Sequence, residues 1–313
     1  MTTASPVRWL ARRLLLAVLV VFGSATAAFL AMELTPGDPV RTLLGTTPQT
    51  AEATERIRHD LGFDRPLLVR YGLFLGRLVT GDLGTSYQLQ EPVRSLVTGQ
   101  LWSTVTLALA AFTLALAGAL VLAVLTAGGR RLPRRIAGFF DLLTISAPAF
   151  WIGVLLLTVF SFRLRLFPAA GGTGLSGLVL PAVTLALSMV GTLSQVLREA
   201  MERSLEEPFA LSAKARGTGL LGLRLRHALR HGLIPLVTLS GWTLGALLSG
   251  AVVIETVFSR PGLGRVLATA ITSRDLPVVT GVVVVSAAAF ALITVAVDAL
   301  YRIIDPRLRE VGT

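Results

Sequence analysis

The chain has 313 residues, of which 53% are hydrophobic and only 15% charged, with a formal net charge of +11 and no cysteine. Soluble domains carry about a quarter charged residues, so this composition excludes an ordinary soluble fold. The missing cysteines exclude disulfides, thiol catalysis and cysteine-based metal sites.

A bilayer core of about 30 Å needs roughly 20 apolar residues in a helix. Six segments without formal charge meet that requirement: 14–32, 101–129, 142–162, 178–197, 232–254 and 276–297. A helix satisfies its own backbone hydrogen bonds, so each segment is expected to cross lipid as one. Arg12 and Arg13 precede the first, and "ATA" at 25–27 imitates a signal-cleavage site. The apolar run continues to Met32, so an uncleaved first span is expected.

Residues 33–100 follow as a long loop. Thr50 is placed to begin a helix running from Ala51 to Leu61, with Gly62 as its stop. A second amphipathic piece starts at Arg65-Pro66 and carries Leu68, Tyr71, Leu75 and Leu78 near helical spacing. The region reads as a small folded cap on the outer face.

"GGRRLPRR" at 128–135 is the strongest orientation signal, because short basic loops resist translocation. It lies inside, and so by alternation do both termini and segment 198–231. Asp141, just after these arginines, reads as an interfacial anchor. "GLSG" at 174–177 has the G-x-S-G form used by intramembrane serine proteases. Such an enzyme needs a histidine within reach of Ser176. His227 and His231 fall on the opposite membrane face and His59 in an outer loop, so a flexible turn is expected.

The inside loop 198–231 contains "EEPFALSAKARGTG" at 206–219. Pro208 suits the first turn of a helix, and Glu206 and Glu207 favour its dipole. Ala210, Ala213 and Ala215 promote helix, and their small side chains let another protein approach closely. Lys214, the chain's lone lysine, and Arg216 sit in the last turn, and Gly217 ends it. A second helix is expected from Thr218 or Gly219 toward Leu233. Leu225, Ala228, Leu229 and Leu233 would form one face, with Arg224, Arg226, Arg230, His227 and His231 on the rest. The spacing of His227 and His231 can bind metal, but arginines surround the pair, and a solvated or partner-facing basic helix is the expectation. Asp298 and Arg302 read as an interfacial pair one turn apart.

No G-x-x-x-x-G-K-[ST] phosphate loop is possible, since the single lysine follows alanine. Ionisable residues are scarce within the spans, which disfavours an ion-coupled carrier. Power must therefore reach the chain from outside, and the stiff capped helix at 208–217 is the candidate for receiving it.

"ALSAKARGTG…HALRHGLIPLVT" resembles the EAA loop of permease subunits in ATP-binding-cassette importers of the oligopeptide, dipeptide and nickel group. The matching positions are Ala213, Ala215, Gly217, His227 and Pro235. His231 stands where asparagine is common, and "KAR" replaces "RAK". "LTPGDP" at 34–39, "GDLGTSY" at 81–87, "PAFWIGVLLLTVFSFRLRLFPAAG" at 148–171, "ETVFSRPGLGRVLATAITSRDLPVVTG" at 255–281 and "LYRIIDPRLR" at 300–309 are similar to that family in its order.

The resemblance implies an all-α membrane protein: one permease domain over 1–313 with six transmembrane helices and both termini inside. An outer helical cap would follow the first span, and a cytoplasmic coupling helix would lie between spans four and five. Pro208, Phe209, Ala210, Ala213, Lys214, Ala215, Arg216 and Gly217 would form that coupling helix, seated on an ATPase. Gly81, Asp82, Leu83 and Gly84 would help receive an extracytoplasmic solute-binding protein. The chain would be no enzyme and hold no cofactor, ATP and Mg being bound by two ATPase subunits or one two-headed ATPase. A second permease subunit would complete the path in the cell membrane, and no nucleic acid is involved. Di- or oligopeptides are the expected cargo, with nickel chelates or glutathione as the alternative. A self-sufficient secondary transporter or channel is the alternative of a different class.

Overall fold

The computed structural model describes residues 6–36, 40, 50–172 and 174–304. Among these the chain is helical, with an isolated antiparallel bridge between Thr85 and Pro92. In chain order the helices are α1 (Pro6–Leu34), α2 (Ala51–Asp60), α3 (Leu67–Val79), α4 (Val93–Thr126), α5 (Arg131–Ser146) and α6 (Ala149–Leu156). They continue with α7 (Ser176–Leu205), α8 (Pro208–Ala215), α9 (Leu220–Leu223), α10 (Leu229–Val257), α11 (Leu263–Thr272) and α12 (Leu276–Ile304). Two π-helical stretches, Leu157–Arg163 and Arg224–Ala228, extend α6 and join α9 to α10. Parts of "LTPGDP" and "LYRIIDPRLR" lie outside the described residues, as do the side chains of Asp298 and Arg302.

By length and composition, four helical stretches can cross a membrane: Ala11–Leu34, Val93–Thr126, Ser176–Leu205 and Leu276–Ala296. Two bent pairs, Arg131–Ser146 with Ala149–Arg163 and Leu220–Leu247 with Gly250–Val257, raise the number to six if each pair is one span. The predicted straight span 142–162 is instead bent by 104° between α5 and α6. Pro148 is the cause. It biases the residue before it away from helical angles, and Ala147 is extended at φ −81°, ψ 127°. The segment 178–197 belongs to a longer helix than predicted, because α7 continues through a charged last portion to Leu205.

The described chain forms two compact units. The first is centred on Thr104–Arg260. Its core is a stripe of alanines on α4, at 111, 115, 119 and 123, all fully buried at four-residue spacing. Val190, Leu193, Leu197 and Met201 of α7 pack against the last three of these alanines, together with Ala228 and Leu236. In lipid, helices associate through close packing rather than hydrophobic exclusion, so small residues at the seam bring the backbones together. Gly191 of α7 is the tightest case: a Cβ there would lie 2.3 Å from Thr144 Oγ1 and 2.6 Å from the Asp141 carbonyl oxygen of α5.

The second unit comprises Leu15–Ser103 and Pro261–Ala291. Its apolar core joins Val93 and Val97 of α4, Leu263 and Ala270 of α11, and Val278, Val279 and Val282 of α12. The short helices α2 and α3 fall where the sequence places them, with Gly62 at φ +71° after α2 and Pro66 before α3. Of the predicted apolar face of α3, Tyr71, Leu75 and Leu78 are half-buried, but Leu68 in the first turn is 81% exposed. Phe29 stacks on Phe74 at 5.3 Å and tilts against Tyr71 at 5.4 Å, fixing α3 on α1. Arg70 adds a bidentate pair with Glu33.

Candidate functional site

The segment after α7 folds as the local sequence dictates. Glu207 is extended at φ −72°, ψ 153°, and Pro208 takes the first helical position, where its missing N–H costs nothing. The helix closes with paired bonds: the Gly217 amide donates to the Lys214 carbonyl at 2.9 Å and the Thr218 amide to the Ala213 carbonyl at 3.1 Å. Gly217 sits at φ +83°, the left-handed angle this closure requires.

The two faces of α8 differ. Ala210 and Ala213 are buried against Leu223, with Leu205 and Phe209 packed around them. Phe209 lies with its ring centroid 5.6 Å from His231, nearly parallel, and 6.0 Å from His227. Pro208, Leu211, Ser212, Lys214, Ala215, Arg216 and Gly217 are exposed. This corrects one expectation: Ala210 and Ala213 are small so that α8 can seat on its own chain, not so that another protein can approach. The outward face is Leu211, Lys214 and Ala215, and Leu211, 66% exposed, escaped sequence reasoning. A single leucine between Ala210 and Ser212 gave no local signal of its direction. The histidine pair, read as a partner-facing or solvated surface, partly faces Phe209 and ties α8 to the helix that follows.

The predicted face after Gly219 also needs correction. Leu225 and Leu233 are exposed, whereas Leu223, Arg224, Ala228 and Gly232 are buried. The π-helical stretch at 224–228 is the reason, because an extra residue per turn rotates the face. Arg224 donates to the Ala127 carbonyl at 2.6 Å and the Leu125 carbonyl at 3.1 Å.

Asp141 is not an interfacial anchor. It is 1% exposed, accepts a hydrogen bond from Ser194 and pairs with Arg198, which is also buried. Further along the same helix pair, Arg134 meets Glu202 at 2.6 Å. α5 and α7 are thus joined by two ion pairs, the second of which lies in the last part of α7, shortly before α8 in the chain. Asp141 and Arg198 are far apart in sequence, so no spacing rule could pair them.

The second candidate, Gly81 to Gly84, is a tight turn in the other unit. Gly81 and Gly84 have φ of +76° and +80°, and Asp82 accepts the Gly84 amide at 2.9 Å. Gly81 and Asp82 are exposed, and Leu83 and Gly84 half-buried. The chain just after the turn is fixed by a residue that sequence reasoning passed over, Asp275. Its carboxylate is 2% exposed and accepts Ser86 Oγ, the Tyr87 amide at 3.1 Å and the Gln88 amide at 3.3 Å. A cavity of about 390 Å³ adjoins the turn, lined in part by Arg70, Phe74, Arg77, Tyr87 and Thr280. Burial raises the Tyr87 pKa above its ordinary value, against the lowering pull of Arg70 and Arg77. Ser176, the serine of "GLSG", opens α7.

A family model described as a binding-protein-dependent transport system inner membrane component matches residues 119–310. The model for the N-terminal part of such membrane components matches residues 6–108. A protein of Brucella abortus (strain 2308), described as a candidate peptide transport system permease, is 36% identical over 95% of this chain and 98% of its own. The glutathione transport system permease protein of Escherichia coli (strain K12) is 33% identical over 95% of this chain and 97% of its own. Among solved structures, the crystal structure of an amino acid ABC transporter with histidines superposes with a TM-score of 0.50. That match has 14% identity and covers 68% of this chain and 94% of the other, a likeness of fold.

Proposed function

The chain belongs to the binding-protein-dependent transport system inner membrane components, and from that membership we propose that it is one half of an ATP-driven importer of di- or oligopeptides. It is a multi-pass inner membrane protein and a permease subunit rather than an enzyme, since ATP is hydrolysed on separate subunits. The proposed assembly adds a second permease, two ATPase domains and a solute-binding protein. The proposed topology is six spans with both termini inside, which puts α8 and the arginines at 128–135 in the cytoplasm. The turn at Gly81–Gly84 would then face the binding protein.

The observation that carries the reading is the two-sided seating of α8. Its inner face is fastened by Ala210, Ala213 and Phe209 to the chain on either side, and its outer face is free. A helix held this way turns a push on Leu211, Lys214 and Ala215 into displacement of α7 and α10. ATP binding that closes the ATPases would supply that push, a domain-level switch biased by nucleotide.

The test is copurification of the ATPases with a Leu211→Asp variant. A charge at the centre of a docking surface is expected to weaken association by about tenfold or more, the effect of a hot-spot residue. Undiminished copurification and uptake would reject the docking role. Ala213→Asp is the wrong probe, since it would bury a charge inside the chain. Peptide as cargo is supported by the relative described as a peptide permease. Glutathione, itself a tripeptide, is the second reading, favoured by the relative that carries its name. Competition between a dipeptide and glutathione for uptake by the reconstituted complex separates the two.

A further inference from the structure

The C-terminal end of α4 is gripped by residues from both sides of α8. Before α8, Arg198 donates to Thr126 Oγ1 at 3.4 Å, and Glu202 accepts the Gly128 amide at 3.3 Å. After α8, Arg224 holds the Leu125 and Ala127 carbonyls. Arg224 is 7% exposed, and its hydrogen bonds go to carbonyls rather than to a carboxylate. A buried cation normally demands an acid partner. Here the end of a 34-residue helix takes that place. Its last carbonyls have no acceptor role within the helix, and its dipole is negative at that end.

The neighbouring glycines make room for the grip. A Cβ at Gly129 would lie 2.6 Å from Arg224 Nη2, and one at Gly128 would lie 2.8 Å from Leu205 Cδ1. The "GG" that precedes the basic loop therefore has a packing purpose separate from the charge of the arginines after it.

We propose that Arg224 is a positioning residue of the transport cycle, locking the end of α4 to the segment that follows α8 so that α4, α7 and α10 move as one block. The inference rests on the reading of α8 as the element that meets the ATPase. Without the grip, a displaced α8 would still carry α7 and α10, its direct neighbours in sequence, and α4 would follow through its alanine seam. The end of α4, however, would be held only by the longer Arg198 and Glu202 contacts and would lag. Hydrolysis would continue while the path failed to reopen.

The test uses the reconstituted complex with ATPases and binding protein. In Arg224→Gln the ATPases stay bound, while dipeptide uptake per ATP hydrolysed falls by about tenfold, within the usual range of coupling between sites. Since the chain has no cysteine, spin labels at Arg130→Cys and Leu221→Cys report the distance across the grip. That distance stays constant between nucleotide-free and ATP-trapped states in the parent and shifts or broadens in Arg224→Gln. If both the uptake ratio and the label distance match the parent, the inference is overturned. Loss of the ATPases from Arg224→Gln would also overturn it, because Arg224 would then support the docking surface. Should Arg224→Gln lower the yield of folded complex, Arg224→Lys, which keeps the charge but cannot span both the Leu125 and Ala127 carbonyls, is read by the same two measurements. Failure of the docking reading shows separately, as ATPases that remain on Leu211→Asp.

Discussion

Asp141 and Arg198 show what a buried ion pair does in this chain. Each removes the other's charge from an apolar surrounding, with Ser194 and Thr126 taking further hydrogen-bonding positions. Such a pair adds little net stability when intact, but breaking it leaves one charge unpaired at a cost of about 3–5 kcal/mol. Asp141→Asn is therefore expected to lower the thermal unfolding temperature of the purified protein sharply. The double variant Asp141→Leu with Arg198→Met recovers most of the loss, because it leaves no charge behind. A double variant no more stable than the single would show that the pair does more than neutralise itself. Arg224 belongs to the same class of residue with a different counterpart, a helix end in place of a carboxylate.

At the scale of elements, the seams between helices depend on small residues at a few positions. Gly191 allows α7 to meet α5 backbone to backbone, and any larger residue would overlap the Asp141 carbonyl. Gly191→Val is expected to abolish the yield of folded, monodisperse protein. Gly23 of α1 is the control, since a Cβ there meets nothing within 4 Å. Gly23→Ala should leave the yield intact or raise stability by up to about 1 kcal/mol through helix propensity. Equal behaviour of the two variants in a size-exclusion stability assay would remove Gly191 from the packing account. The local punctuation of the elements was legible in advance. Pro208 and Gly217 marked α8 to within two residues, and Gly62 and Pro66 separated α2 from α3. The direction in which α8 faces was not legible, because alanine suits equally a buried seam and a surface open to a partner.

For the whole molecule, charge distribution and apolar length set the proposed topology. The arginine-rich segments at 128–135 and 198–231 should stay in the cytoplasm, and residues 33–100 should lie outside. The lack of native cysteine makes this directly measurable with single cysteines and a membrane-impermeant maleimide on intact cells. Lys214→Cys is expected to stay unlabelled, and Gln88→Cys to react, both side chains being exposed. The reverse pattern would overturn the orientation and with it the cytoplasmic placement of α8.

By itself the sequence determined the helical class, the apolar segments and the ends of α8. These follow from proline and glycine geometry and from the length of uncharged runs, signals contained within a few residues. Only the tertiary structure decided the partners of Asp141 and Arg224. Those bonds join residues 57 and 97 positions apart. The tertiary structure also decided which side of α8 is occupied. Such outcomes depend on which helices pack together, and a buried charge reveals its counterpart only when the chain has brought the two within hydrogen-bond reach.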